Sequence, residues 1–100
     1  MKKQPDFVVG TLRIRLIIRG AQSLKDKRRT VKSVKDRIRS RFNASVAEIG
    51  SLDVHQMADI GVAVAGNDGS FVQSVLSQIA HMVAMQARDA EVASCDMEIL

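Results

Sequence analysis

The apolar residues of this chain switch spacing four times between Val8 and Ile99, and each switch restricts the backbone that can bury them. From Val8 to Arg19 the period is two: Leu12, Ile14, Leu16 and Ile18 share one face, and Thr11, Arg13, Arg15 and Arg19 fall mostly on the other. That alternation predicts a half-buried strand. After the turn Arg19-Gly20-Ala21-Gln22 the spacing lengthens. Leu24, Val31, Val34, Ile38 and Phe42 keep to one stripe of a helix, with Ser23 and Asp26 placed as a capping box at its start. This predicts a helix over Leu24–Phe42, about 28 Å long at 1.5 Å per residue.

Asn43 leaves the helix, and Ala44–Ile49 reads as a short strand. A loop over Gly50–Gln56 leads to a strand over Met57–Ala65, with Ile60, Val62 and Val64 on one side and Asp59, Gly61, Ala63 and Ala65 on the other. Gly66-Asn67-Asp68-Gly69 supplies a turn and a cap. Phe71, Val72, Val75, Leu76, Ile79, Met82 and Val83 then trace a second helical face that ends near Gln86–Arg88. Alternation returns over Glu91–Ile99, with Ala93, Cys95, Met97 and Ile99 inward and Ser94, Asp96 and Glu98 outward. The order strand, helix, strand, strand, helix, strand predicts an α+β, ferredoxin-like β-α-β-β-α-β fold. Its four-stranded antiparallel sheet carries both helices on one face, and Arg13 and Arg15 lie across from Asp96 and Glu98 on the open face. One domain over 7–100 follows, preceded by a loose tail at 1–6.

Charge is distributed unevenly over this frame. Overall it is +4, but the first helix holds nine bases against two acids, so its +7 leaves −3 for the other 81 residues. The bases are Lys25, Lys27, Arg28, Arg29, Lys32, Lys35, Arg37, Arg39 and Arg41. A solvated face is the ordinary reading of surface charge. Here, however, like charges sit three and four residues apart, where each pair destabilises by a few tenths of a kcal/mol, and an anionic partner would offset that. The expected function is therefore a non-enzymatic protein that contacts structured RNA or a ribosomal subunit through phosphates. Lys25, Arg28, Arg29, Lys32 and Arg39 make the contacts, and Lys27 and Lys35 snorkel from the border of the apolar stripe to join them.

Other residues narrow the field. With no Trp, no Tyr and three Phe assigned to helix stripes or a strand start, base stacking on the sheet is disfavoured, and Lys and Arg alone read backbone and shape. His55, His81 and Cys95 have no metal-ligand spacing, and Ser51, Asp53 and His55 are too close in one loop for a triad, so neither a metal, a cofactor nor a catalytic residue is expected. Gly66-Asn67-Asp68-Gly69 resembles a phosphate clamp, but Asp68 repels phosphate and a helix cap accounts for it. The loop Arg19–Ser23 has only a geometric likeness to that of acylphosphatases. A single cysteine forms no disulfide within the chain, so a reducing cytoplasm is expected, and no apolar run approaches the ~20 residues of a membrane span. An alternative role is a homo-oligomeric interaction module, because Gly61, Ala63 and Ala65 let another surface approach the open sheet face.

Val9–Ile14, Gly20–Arg29 with its run Ser-Leu-Lys-Asp-Lys-Arg-Arg, Arg41-Phe42-Asn43, Gly61–Val64 and Gly66-Asn67-Asp68 resemble the YlxP-like family over about residues 8–85. The resemblance implies a ferredoxin-like fold, no known catalytic residue, and a cytoplasmic protein often encoded beside translation and ribosome-maturation factors.

Overall fold

A computed structural model describes residues 6–100, so residues 1–5 of the expected tail lie outside the described residues. The order of elements is β1 (Val8–Ile17), α1 (Leu24–Arg41), β2 (Ser45–Gly50), β3 (Met57–Gly66), α2 (Gly69–Gln86) and β4 (Glu91–Ile99). The strands form one antiparallel sheet in the order β2-β3-β1-β4.

Each boundary follows from local chemistry. Ser23 Oγ accepts from Asp26 N at 3.1 Å, and the Asp26 carboxylate accepts from Gln22 N at 3.0 Å, so the box closes one residue earlier than its usual form. Asp68 caps α2 by accepting from Phe71 N at 3.2 Å. β1 stops two residues short of the expected Arg19, yet Ile18 still belongs to the core: its amide donates to Gln56 O at 2.8 Å and its side chain is buried.

One face of the sheet holds the core. Leu12, Ile14, Leu16, Ala58, Ile60, Val62 and Val64 meet Val31, Val34 and Ile38 of α1 and Val72, Leu76, Ile79, Met82 and Val83 of α2. No helix among the described residues covers the opposite face. Two irregularities shape the outer strands: the β1–β4 register shifts between Arg15 and Leu16, and the β2–β3 register shifts between Glu48 and Gly50.

Inward expectations change at the margins: Ala93, Cys95, Met97 and Ile99 of β4 are all exposed, and beyond the register shift Val92 rather than Ala93 packs against the core. Cys95 pairs with buried Ile14 yet is exposed, because β4 is an edge strand that the helices cover only in part. Phe71 lies against Gly66 in the first turn of α2, at the end of the sheet, and 56% of it remains exposed.

Of the glycines, Gly10 has the least room for a side chain. A β-carbon there would lie 2.6 Å from Val72 Cγ1, 2.7 Å from Leu76 Cδ1 and 2.9 Å from Ile99 Cδ1, three packed atoms that cannot all retreat together. Gly10→Ala is expected to destabilise by about 1–3 kcal/mol through overpacking, despite the better strand propensity of alanine. Urea unfolding of the two proteins checks this.

Candidate functional site

The first helix sorts its cations into two groups. At 100° per residue Lys27 projects between Val34 and Ile38, in the middle of the apolar stripe rather than at its border. It is 2% exposed. Its ammonium lies 2.8 Å from Glu48 Oε2 and donates to Val54 O at 2.8 Å and to Ser51 O at 2.5 Å. Two hydrogen bonds and one ion pair thus engage the ammonium, and its burial leaves a phosphate no access to it. This overturns the expected snorkelling of Lys27. The repeat 27, 31, 34, 38 was the available signal, since spacings of 4, 3 and 4 put all four residues on one line of a helix.

Two further cations hold structure. Arg37 donates to Gln86 O, satisfying a carbonyl at the C-terminus of α2 that has no partner within its helix. Arg39 Nη2 donates to Val46 O at 2.8 Å, tying the end of α1 to β2 while the residue stays exposed.

The remaining candidates form a ridge. Lys25, Arg28, Arg29, Lys32 and Lys35, with the outer part of Arg39, lie within an arc of about 120° and extend about 21 Å along the helix. All are exposed except Lys35, which is half-buried. Among the described residues, only Lys32 of these six has a carboxylate partner, Asp36 Oδ2 at 2.6 Å. Asp36 reports the local field. Its carboxyl is held below the usual range, first by the hydrogen bond from Lys32 and further by the positive charges of Lys32, Arg39 and Lys35, against the cost of desolvation.

A second polar cluster occupies the open sheet face. Arg15 donates to Asp59 through Nε at 2.9 Å and Nη2 at 3.2 Å, Ser51 Oγ donates to Asp59 Oδ2 at 2.9 Å, and Arg13 Nη2 stands 3.7 Å away. Asp59 is 1% exposed because these side chains lie over it. Arg13 is opposite Asp96 in register, as expected. Its guanidinium nevertheless turns toward β3, and Arg15 is opposite Ser94 rather than an acid, so both expected cross-strand pairs are replaced by Asp59. Beside this cluster a depression of about 690 Å³ runs over Ala47, Gly61 and Ala63 between Ile49 and the β4 carboxylates.

Among the described residues no three His, Cys, Asp or Glu are placed to hold a metal ion. Asp26 and Asp89 line the hollow beside Gly20 and Ala21, an unfavourable setting for phosphate in that loop. No helix of the described residues is long and apolar enough to cross a membrane.

Residues 9–97 match the model of a family described as protein of unknown function (DUF503). The chain belongs to this family. It is 31% identical over 72 residues to the uncharacterized protein YlxP of Bacillus subtilis (strain 168), a stretch covering 72% of this chain and 78% of that protein. The expected YlxP-like relationship is thereby established. In three dimensions the DUF503 chain is similar to a de novo designed protein with ferredoxin fold, at TM-score 0.53 and 12% identity over 92% of this chain and 82% of that one. De novo designed protein Foldit4 superposes at TM-score 0.50 with 17% identity, covering 92% and 96%. These likenesses define the fold alone.

Lys27 supplies the sharpest test of how the DUF503 site is held. Lys27→Met leaves Glu48 and two carbonyls without their partner and is expected to cost about 3 kcal/mol, whereas Lys27→Met with Glu48→Met recovers part of the loss. Chemical denaturation of the double-mutant cycle measures the coupling.

Asp59 makes a separate prediction. Arg15, through its hydrogen bonds, is the main cause that lowers its carboxyl pKa, helped by the Ser51 hydroxyl and the charges of Arg15 and Arg13 and opposed by desolvation. The unfolded chain titrates near the ordinary value of about 3.9, so the ionised carboxylate stabilises the fold above that pH. The contribution disappears as pH falls through the lower native value. Asp59→Asn is therefore expected to be less stable than wild type at neutral pH, with the difference shrinking on acidification, as urea unfolding across pH measures.

Proposed function

We propose that this protein is a non-enzymatic, cytoplasmic accessory factor that docks the basic ridge of α1 on structured RNA, such as that of a ribosomal subunit. The observation that carries the reading is the ridge itself, in which six cations share one face and only Lys32 has a carboxylate partner among the described residues. Lys25, Arg28, Arg29, Lys32, Lys35 and the outer donors of Arg39 are the phosphate contacts. The Lys32–Asp36 pair is exposed and of the weak i,i+4 kind, so a phosphate can take the place of Asp36.

The lowered Asp36 carboxyl supports the same reading, since the field that stabilises this anion stabilises a phosphate in its place. The sheet supports backbone over base recognition. Around Arg13, Gly61 and Ala63 the open face carries no aromatic ring on which a base would stack. The ribosomal assignment of the RNA rests on the gene neighbourhood that the YlxP-like relationship implies.

Six phosphate contacts predict a slope of log K against log salt of roughly −4 to −5. Charge reversal of Arg28, Arg29 and Lys32 to Glu, all at exposed positions, is expected to abolish cosedimentation with ribosomal subunits while circular dichroism stays unchanged. Asp36→Asn is expected to tighten binding while leaving the slope near that of wild type, because a competing anion is removed and the number of phosphates contacted is unchanged. Cosedimentation that survives the charge reversal, or that is indifferent to salt, overturns the proposal.

A further inference from the structure

We infer that the open sheet face is covered by a second copy of this chain, with β4 of each copy seated over β3 of the other. This surface lies across the sheet from α1, so the inference stands apart from the RNA reading.

The open face carries both signs of charge, and each sign is incompletely engaged. Arg13 has a side chain 52% exposed, and its only carboxylate among the described residues is Asp59, at a loose 3.7 Å. Asp96 and Glu98 have no ion-pair partner among the described residues, although Asp96 is in register with Arg13. Arg13 is drawn toward β3 and away from Asp96 because Asp59 has drawn it there. A surface that meets itself about a two-fold axis must be self-complementary, and a face with a half-free guanidinium on one side and free carboxylates on the other meets that condition.

The depression sets the alignment. It lies over Ala47 and Ala63, whose side chains are short, with Ile49, which covers Gly61, and the Arg13 side chain at its border. A two-fold axis along β1 keeps the level of each residue along the strands and exchanges the two sides of β1. Asp96, level with Arg13 and Gly61, then falls over the Ile49 side chain that covers Gly61 of the partner, on the side to which the partner's Arg13 turns. The two Arg13 side chains lean to opposite sides of the axis and avoid each other. A second β4 brings its own carboxylates to Arg13.

The size of the contact sets its strength. Three overlapping strands, ~4.8 Å apart and about ten residues long, project to roughly 470 Å² per copy, so the total of about 1,000 Å² belongs with weak, reversible interfaces. A micromolar, concentration-dependent dimer is the expectation.

Sedimentation equilibrium of the full chain from about 1 to 300 μM, at low salt, tests this range. Wild type is expected to pass from monomer to dimer, with Arg13→Glu and Asp96→Arg each monomeric and the double exchange R13E/D96R restoring the dimer. Ala63→Arg touches no ion pair and fills the hollow, so it is expected to be a folded monomer by circular dichroism. A wild-type protein that remains monomeric to the highest concentration overturns the inference, as does an Ala63→Arg variant that still dimerises.

Discussion

The lie of α1 on the sheet is fixed by a charge with no water around it. Lys27 sits where an aliphatic residue would continue the line of Val31, Val34 and Ile38, and its ammonium is held by two carbonyls of the loop after β2 and by the Glu48 carboxylate of β2. Moving a charge of this kind out of water is costly unless every donor finds an acceptor, so rotating or sliding the helix would forfeit several bonds together. Apolar packing alone tolerates small rotations, whereas three convergent acceptors do not. The direction in which the outer ridge points is therefore determined from the inside. The constraint also reaches across the sheet: Ser51 gives its carbonyl to Lys27 and its hydroxyl to Asp59 from a left-handed backbone at φ 56°. One loop residue thus links the polar cluster beneath α1 to the arginine cluster on the open face.

The same side-chain chemistry serves opposite ends along this helix. Of its nine cations, Lys27, Arg37 and Arg39 hold the helix to β2, to the following loop and to the end of α2, while Lys32 is held only by an exposed neighbour. Like-charge repulsion on a short rod is thereby relieved in part by acceptors elsewhere in the fold. What remains uncompensated is concentrated on one face, which makes the surface field stronger than the overall +4 suggests.

Period and capping make the architecture legible in the sequence. Alternation in β1 and β3, the stripe of α1, and the caps at Ser23 and Asp68 all reappear, because each is set by residues within a few positions of one another. Contacts between distant residues were not legible. Glu48 is 21 positions from Lys27 and Asp59 is 44 from Arg15, so their pairing depends on register and on the β2 irregularity, which no local pattern encodes. Lys27 has the chemical type of a surface residue but the angular position of a core one, which its spacing to Val31, Val34 and Ile38 sets. Burial at the edges was also illegible: Cys95 alternates inward with its strand, but alternation names a face and says nothing about whether a helix covers it.

Helix α1 and the open face lie on opposite sides of one sheet, and this limits how the two surfaces act together. If two sheets meet face to face, the helices of each copy point outward. With ~10 Å between packed sheets and a helix of ~10 Å diameter outside each, the two ridges stand roughly 40 Å apart and face opposite directions. A short duplex cannot touch both. It therefore meets a single ridge, and its affinity is that of one helix whatever the oligomeric state. A large folded RNA with two exposed helical surfaces can bridge or wrap the pair, and the second contact is then made at the high effective concentration of a tethered site. Dimerisation across the sheet would favour large, folded polyanions over short ones without any added base contact, because the selection lies in the spacing and outward orientation of two ridges whose directions Lys27 fixes.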